Sequence, residues 1–274
     1  MIHSIKQTFI SIIIPAYNEE KRIIKTLKNY VAYYNKHYYQ NYQILVVLNG
    51  CRDNTEKVVV EFIKQNPTVE YIVFPDAIGK GGALKEGLKV AKGKNLGFTD
   101  ADDSTRPEIL HRLFSVLEMV PTLDCVIGSR RMVGSVVSGK SKGRGFMSWG
   151  FNTGVNILFS LGIRDTQCGA KVFRSTLVSK ILPSLTISNM AFDVNFLVDA
   201  KKVGAKILEM PIEWEDEEGS TIKNNIGTSV AMALSVLRLR MMYSPLKGLY
   251  PVLEPIGIFL LKILSPGSRV KKID

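Results

Sequence analysis

The stretch "NLGFTDADDSTRPE" at residues 95–108 decides the fold, because it joins a short apolar segment to a helix start through an acidic turn. "NLGFT" has the pattern of a buried strand. Pro107 suits the first turn of a helix, and Ser104 or Thr105 is placed to cap it. The strand is followed at once by three carboxylates: Asp100, Asp102 and Asp103. We therefore expect a strand–turn–helix unit with acid concentrated at the carboxyl end of the strand.

The same alternation continues on both sides of this stretch. Further strands are predicted at residues 8–14, 42–48, 69–74 and 124–129. Helices are predicted between them at residues 19–34, 56–65 and 81–93. The second half is less regular, with helices predicted at 143–162 and 190–204, a loop and strand at 165–175, and a strand at 205–215. Such alternation predicts an α/β fold with an open, Rossmann-like, mostly parallel sheet and helices on both faces.

Polar turns follow four of the predicted strands. They are Pro15–Glu20, Asn49–Asp53, Ile78–Gly82 and Asp100–Ser104. Ligands of open parallel sheets bind beyond the carboxyl ends of the strands. We therefore expect these turns to gather at one edge of the sheet and to form the ligand site.

Composition narrows the class of protein. The chain has 274 residues, 46% of them hydrophobic, which is enough for a substantial core and excludes a disordered protein. The net charge of +11 suggests an anionic partner, namely nucleic acid, a membrane surface or a phosphorylated substrate, or serves solubility alone. The three cysteines and three histidines show no zinc spacing, and no nucleic-acid-binding motif is present. A reducing compartment fits best, and no secretory signal is recognised at the N-terminus.

The acidic turn is a candidate metal site. Carboxylates two residues apart on a tight turn can converge on one Mg²⁺ or Mn²⁺ ion, which takes oxygen ligands and bridges substrate phosphates. The alternative is that the carboxylates cap the following helix.

A second turn, "AIGKGGALKEG" at residues 77–87, has glycines that let backbone N–H groups approach a phosphate beside Lys80. It matches neither the P-loop nor the dinucleotide-binding pattern. The alternative is an ordinary turn with a surface lysine.

Five motifs in a fixed order carry a family resemblance. They are "SIIIPAYNEE" (11–20), "DADDSTRPE" (100–108), "VIGSRR" (126–131), "DTQCGAKVFR" (165–174) and "IEWEDEEGSTIK" (212–223). With them, residues 9 to 240 resemble family 2 glycosyltransferases of the GT-A fold. Within that family they resemble polyprenyl-phosphate sugar synthases of the dolichyl-phosphate β-glucosyltransferase type. The resemblance implies an inverting transfer from a nucleotide-diphosphate sugar, with UDP-glucose favoured over GDP-mannose, to a polyprenyl or dolichyl phosphate.

The resemblance also implies a donor site. It assigns nucleotide-sugar binding to Pro15, Ala16, Tyr17, Asn18, Glu19, Asn49, Asp53, Lys80 and Asp100. It assigns the binding of Mg²⁺ or Mn²⁺ to Asp100, Asp102 and Ser104. Ser104 replaces a glutamine of related synthases. Asn49 stands where many relatives have an aspartate that reads the base. Its amide could read a nucleobase edge or form an ordinary tight turn.

The acceptor site is expected at basic residues of the second half. The resemblance places Arg130 against the acceptor phosphate, and Lys171 and Arg174 are further candidates. An ionised phosphate can attack without losing a proton to the protein, whereas an alcohol acceptor needs a general base. Asp193 is the candidate for positioning or base chemistry, or is a structural carboxylate. The catalytic residues are thus expected to be Asp102, Arg130 and Asp193.

Two regions are expected: a GT-A domain at residues 1–240 and an amphipathic extension at 241–274. The apolar part of the extension is interrupted by Pro251, Glu254, Pro255 and Lys262. It is therefore too short to span a bilayer but suits an interfacial position against anionic lipid. We expect a peripheral protein on the cytoplasmic face of the membrane, although the extension could instead pack on the domain or on another subunit.

Two other functions are consistent with the same residues. One is a glycosyltransferase with a hydroxyl acceptor on a glycolipid or polysaccharide. The other is a non-catalytic module that binds a nucleotide sugar. The presence of Asp100, Asp102 and Arg130 argues against this second function.

Overall fold

The computed structural model describes residues 9–138, 142–215 and 226–245, together with Gly248. The strands within them are β1 (Ile10–Ala16), β2 (Tyr42–Asn49), β3 (Val69–Phe74), β4 (Asn95–Phe98), β5 (Cys125–Ser129), β6 (Val136–Ser138), β7 (Lys171–Arg174), β8 (Ile207–Pro211) and β9 (Glu213–Glu215). The helices are α1 (Ile23–Tyr38), α2 (Thr55–Ile63), α3 (Gly79–Val90), α4 (Pro107–Met119), α5 (Lys142–Phe159), α6 (Ser175–Ile181), α7 (Phe192–Lys202) and α8 (Ile226–Met242).

A seven-stranded sheet forms the centre of the molecule. Its strand order is β3-β2-β1-β4-β7-β5-β8. Neighbouring strands run parallel except at β7, which is antiparallel to both β4 and β5. The predicted α/β class with a mostly parallel sheet is confirmed.

The alternating side chains of β1 show how the sheet is covered on both faces. Ile12 and Ile14 belong to an apolar cluster with α1, α2 and α4. Ile13 lies in a second cluster with α3, α6 and α7 and with parts of α5 and α8. All three isoleucines are fully buried, because successive side chains of a strand point to opposite faces. The helices therefore lie on both faces of the sheet, as predicted.

Two local predictions are wrong. Residues 205–215 form two strands and not one: β8 ends at Pro211, and the chain leaves the main sheet after the N–H of Ile212 has donated to the carbonyl of Ser129. The second strand, β9, pairs with β6 in a small separate sheet. Neither Ser104 nor Thr105 caps α4, which is preceded by Arg106 without a side-chain cap.

The C-terminal region is only partly described. Helix α8 crosses the boundary expected at residue 240, and Tyr243 just beyond it donates a hydrogen bond to Asp199 on α7. Most of the predicted extension at 241–274 lies outside the described residues. Among the helices that the structure does describe, none is long and apolar enough to cross a membrane.

Candidate active site

Helix α1 fixes the acidic turn that follows β4. The hydroxyl of Tyr30 donates to the carbonyl of Thr105 at 2.8 Å. Asp103 adopts a left-handed backbone (φ 63°) and accepts a hydrogen bond from Asn29 at 2.7 Å. One of the three carboxylates is therefore turned towards α1, which leaves Asp100 and Asp102 for a ligand.

Asp100 lies between a lysine and a glycine. The Nζ of Lys80, at the start of α3, is 2.5 Å from its Oδ1. A Cβ built on Gly169 would lie 2.3 Å from its Oδ2, so only glycine leaves room for this carboxylate. Burial alone would raise the pKa of Asp100, but the charge and hydrogen bond of Lys80 outweigh burial and lower it. Asp100 is therefore held as a carboxylate.

Asp102 has the opposite electrostatic environment. Burial raises its pKa, and the negative charge of Asp100 raises it further. Its Oδ1 accepts the backbone N–H of Ser104 at 3.2 Å, and its Oδ2 lies 3.8 Å from Nη1 of Arg22. The strong attraction that lowers the pKa of Asp100 is thus missing at Asp102, and a cation bound there would supply it.

The donor atoms of the turn fit a hard divalent cation. Asp100 and Asp102 offer carboxylate oxygens, and the hydroxyl of Ser104 is buried without a hydrogen-bond partner in the described residues. Such oxygen donors suit Mg²⁺ or Mn²⁺. Among the described residues no group of three or more His, Cys, Asp or Glu side chains could hold a metal ion. A cation here would thus depend on these few oxygens together with ligands from substrate or water.

The turns after β1 and β2 are locked to each other. Asn18 has a left-handed backbone (φ 54°), and its Oδ1 accepts the N–H of Arg52 at 2.8 Å. Asp53 accepts from the N–H and hydroxyl of Thr55 and from the N–H of Glu20. Although burial opposes it, these hydrogen bonds lower the pKa of Asp53. Asp53 therefore holds the two turns together, and this role uses both of its oxygens.

The turn before α3 joins the same edge through Asn49. Its Oδ1 accepts the N–H of Ile78 at 2.7 Å. Gly50 has a φ of 65°, and a Cβ on it would lie 2.4 Å from the backbone nitrogen of Ala77. Asn49 is almost fully buried. These contacts support the tight-turn interpretation of Asn49–Gly50, and nucleobase reading by Asn49 stays a prediction.

The remaining donor-site candidates lie at the end of β1. Pro15 and Ala16 are in the strand, and Ala16 is buried. Tyr17 is exposed at this edge. Glu19 is buried and forms a two-point ion pair with Arg22, both contacts measuring 2.7 Å. Tyr17 is thus the residue of this group with side-chain surface for a ligand, while Glu19 orients Arg22 near Asp102.

Arg130, directly after β5, is held by Asp165. Its Nε and Nη2 donate to the two carboxylate oxygens at 2.7 and 2.9 Å. The guanidinium carbon lies 5.0 Å from the ring centroid of Trp214. That ring also lies 3.5 Å from a Cβ position on Gly169, which is in contact with Asp100. Arg130 therefore shares one locus with the acidic turn.

Lys171 and Asp193 form a buried ion pair. Nζ of Lys171 lies 2.5 Å from Oδ1 of Asp193 and 2.5 Å from the carbonyl oxygen of Cys168. The side chains are 0% and 4% exposed. The placement of Lys171 therefore does not fit the expected contact with an acceptor phosphate, because its ammonium has no surface to offer. Asp193 is likewise committed to a protein partner.

Arg174 requires a correction. Because β7 is antiparallel, Lys171 pairs with Phe98 next to the acidic turn, whereas Arg174 pairs with Asn95 at the far end of β4. Three residues along a strand span about 10 Å. Its guanidinium donates to carbonyl oxygens of Leu117, Val120 and Leu123 around the end of α4. Arg174 therefore closes a helix end on the side away from the acidic turn, and this placement does not fit the expected contact with an acceptor phosphate.

The sequence interpretation missed four residues that shape the site: Arg22, Asp165, Gly169 and Trp214. Two of them, Asp165 and Gly169, stand in the motif "DTQCGAKVFR", whose basic residues Lys171 and Arg174 were the predicted ligands. The requirement for glycine at 169 depends on where Asp100 lies, which the chain order alone does not reveal.

The fold and the acidic turn together define a glycosyltransferase of the GT-A type, and comparison with known proteins agrees. The family model "Glycosyl transferase family 2" matches residues 11–182. The chain therefore belongs to glycosyltransferase family 2.

Relatives similar to this chain include dolichyl-phosphate beta-glucosyltransferases. That of Dictyostelium discoideum is 32% identical over 249 residues, covering 87% of this chain and 76% of its own. That of Saccharomyces cerevisiae is 32% identical over 261 residues, covering 89% and 77%. The human protein is 31% identical over 224 residues, covering 78% and 69%.

Solved structures share the fold. Glucosyl-3-phosphoglycerate synthase from Mycobacterium tuberculosis, in complex with Mn²⁺, UDP and glucosyl-3-phosphoglycerate, matches with a TM-score of 0.62 and 15% identity, covering 85% of this chain and 80% of its own. Mannosyl-3-phosphoglycerate synthase from Rubrobacter xylanophilus matches with a TM-score of 0.65 and 19% identity, covering 85% and 74%.

Proposed function

We propose that this enzyme transfers glucose from UDP-glucose to a polyprenyl phosphate such as dolichyl phosphate, with inversion and with Mg²⁺ or Mn²⁺ as cofactor. The observation that carries the proposal is the shared locus of Asp100 and Arg130 around Gly169. It brings a carboxylate suited to a metal together with an arginine suited to a phosphate. The names of the relatives, dolichyl-phosphate beta-glucosyltransferases at 31–32% identity, support the same donor sugar and acceptor class.

The donor would lie across the carboxyl edge of β1, β2 and β4. Tyr17 offers exposed ring surface there. The turns joined by the Arg52-to-Asn18 and Ile78-to-Asn49 hydrogen bonds give a rigid floor. Asp102, with Asp100 and Ser104, would hold the cation, which stabilises the negative charge of the leaving diphosphate. Lys80, whose Nζ lies 2.5 Å from Oδ1 of Asp100, supplies a second positive charge.

The acceptor phosphate would bind Arg130. The acceptor phosphate carries at least one negative charge at neutral pH, so its oxygen can attack the anomeric carbon without a general base. The burial of Asp193 against Lys171 supports this interpretation, because Asp193 is paired and has little surface for an incoming hydroxyl. Arg130 would offset the repulsion between a charged nucleophile and a charged donor.

The test is transfer of radiolabelled glucose from UDP-glucose to three acceptors: a polyprenyl phosphate, the matching free polyprenol, and 3-phosphoglycerate. We expect product with the polyprenyl phosphate alone, recovered as a lipid that mild acid cleaves. Product with the polyprenol would favour a hydroxyl acceptor instead. Binding of UDP-glucose without transfer to any acceptor would favour a non-catalytic module.

Two neighbouring arginines give a matched pair for the acceptor assignment. Arg130→Ala should raise the acceptor KM about ten- to a hundredfold with little change in UDP-glucose affinity, because a charge-assisted hydrogen bond is lost. Arg131 donates instead to Ser148, so Arg131→Ala should leave the acceptor KM near the wild-type value. Equal effects of the two substitutions would contradict the assignment.

With this acceptor, the enzyme would be bound peripherally at the cytoplasmic face of a membrane. The support comes from the sequence: a net charge of +11, and an apolar stretch at 256–261 followed by Arg269, Lys271 and Lys272. Deletion of residues 244–274 should weaken co-sedimentation with anionic vesicles while UDP-glucose binding persists. Unchanged co-sedimentation of a folded truncation would count against this assignment.

A further inference from the structure

The carboxylate of Asp165 contacts Arg130 at three points. Besides the two side-chain bonds, Oδ2 accepts the backbone N–H of Arg130 at 3.0 Å. The side chain of Asp165 is 2% exposed and that of Arg130 is 14% exposed. Burial alone would raise the pKa of Asp165, but the bonds from Arg130 lower it to about 2, so the pair is ionised at neutral pH.

Asp165 is itself held in place from two other elements. Glu209 on β8 accepts the N–H groups of Arg164 and Asp165 at 3.0 and 2.8 Å. Asn152 on α5 accepts the N–H and the hydroxyl of Thr166 at 3.0 and 2.8 Å. The loop that carries Asp165 is therefore fixed on both sides of the carboxylate.

The pair leaves part of the guanidinium available. A guanidinium has five N–H donors, and Asp165 takes two of them. Among the described residues, no other hydrogen-bond acceptor contacts the Arg130 side chain. The ring of Trp214 restricts the plane of the group from one face. The position and the plane of the remaining donors are thus set by Asp165 and Trp214.

We propose that Asp165 is a positioning residue for the acceptor site: it fixes the Arg130 guanidinium so that its unoccupied donors face the acceptor phosphate beside Asp100. This inference rests on the proposed function. A carboxylate this close to a phosphate site repels the phosphate and partly neutralises Arg130, so charge alone would favour its absence. A buried ion pair is also weak evidence for a gain in stability. What Asp165 supplies is orientation, on which bidentate phosphate recognition depends.

A double-mutant cycle on Asp165 and Arg130 tests this role, with a short-chain isoprenyl phosphate as acceptor. Asp165→Asn keeps the volume of the side chain but loses the two-point ion pair. We expect its acceptor KM to rise about tenfold or more, with the Kd for UDP-glucose within about twofold of wild type. In an Arg130→Ala background the same substitution should have no further effect on the acceptor KM, because Asp165 acts through Arg130.

Asp199→Asn is the control for burial. Asp199 is a buried carboxylate on α7 with hydrogen bonds from Asn195 and Ser184, outside the site. The Asp199→Asn substitution should lower the Tm without changing the acceptor KM. If Asp165→Asn does not fold, Asp165→Glu makes the same comparison, since it keeps the charge but moves the carboxylate by one methylene and should again raise the acceptor KM.

Two results would overturn the inference while leaving the proposed function in place. One is a wild-type acceptor KM in a folded Asp165 variant. The other is an effect of equal size with and without Arg130. Wild-type enzyme that gives no product with any isoprenyl phosphate would instead refute the proposed function, and the inference with it.

Discussion

Nζ of Lys80 lies 2.5 Å from Oδ1 of Asp100, so one of the two carboxylates that face the candidate metal site already has a cationic partner. Among the described residues, the ion-pair contact of Asp102 is longer: Nη1 of Arg22 lies 3.8 Å from its Oδ2. The two carboxylates therefore differ: Asp100 is charge-compensated by the protein, whereas Asp102 depends on an added cation. This difference makes Asp102 the more sensitive of the two to substitution.

Asp102→Asn should nearly abolish glucosyl transfer while the fold stays intact, because a metal-binding charge disappears without a change in volume. Mn²⁺ titration in the presence of UDP, followed by electron paramagnetic resonance, should show affinity reduced by about tenfold or more. The control is Asp103→Asn in the same turn. Asp103 bonds to Asn29 on α1, so this variant should lose about 1 kcal/mol of stability and retain Mn²⁺ binding. Full activity of Asp102→Asn, or of wild type in EDTA, would remove the metal assignment.

Gly169→Ala should disable the site without unfolding the protein. Its Cβ would lie 2.3 Å from Oδ2 of Asp100, and the carboxylate can move away because it is the end of a side chain. We expect a Tm close to wild type but weak Mn²⁺ binding and little transfer. Gly154→Ala on α5 is the control, since a Cβ built there would meet no neighbouring side chain or other element of the described residues within 4 Å. It should gain about 0.5–1 kcal/mol of stability with unchanged activity. Unimpaired transfer in Gly169→Ala would show that the position of Asp100 is not critical.

Much of this site follows from local sequence pattern. Strands of β-branched residues alternate with amphipathic helices, and polar turns follow the strands, so the meeting of Asn18, Asn49 and Asp100 at one edge was predictable. The spacing of the carboxylates indicated a metal site, and the resemblance to family 2 glycosyltransferases supported that assignment and added Arg130 as an acceptor ligand. The strand and turn predictions depend on patterns within short segments, and the resemblance depends on five short motifs and their order along the chain.

Pairings between distant segments were not predictable in this way. The direction of β7 decides that Lys171 lies next to the acidic turn and that Arg174 lies at the opposite end, yet one strand looks the same in either direction. The carboxylate that pairs with a buried lysine or arginine is also determined by the packing of distant segments. Hence Lys171 was expected at a substrate, whereas it pairs with Asp193.

His111 should make the protein less stable in mild acid. Burial lowers its pKa in the folded state, and the nearby charge of His37 lowers it further. As the pH falls below about 6.5, the unfolded chain binds a proton that the folded protein resists, so stability is lost with falling pH. The slope can reach at most about 1.4 kcal/mol per pH unit.

Chemical denaturation between pH 5 and pH 8 measures this effect. His111→Gln should remove the His111 part of the acid slope, although it also loses the contact of Nδ1 with the hydroxyl of Tyr33 at 2.7 Å. The variant is therefore expected to be less stable at pH 8 and to approach wild type towards pH 5. Parallel pH profiles of the two proteins would contradict the assignment.

The buried pair of Lys171 and Asp193 allows the acceptor chemistry to be separated from folding. Among the described residues, Asp193→Asn leaves a fully buried ammonium with the carbonyl of Cys168 as its remaining hydrogen-bond partner, so we expect a loss of about 3–5 kcal/mol of stability. Replacing both residues, Lys171→Met with Asp193→Leu, removes both charges and should recover most of that loss. Because an ionised phosphate needs no general base, the double variant should retain transfer to polyprenyl phosphate within about tenfold of wild type. Denaturation curves and initial rates on the same preparations give both quantities. A double variant that regains its stability but transfers no glucose would assign Asp193 a direct part in the reaction and would favour a hydroxyl acceptor.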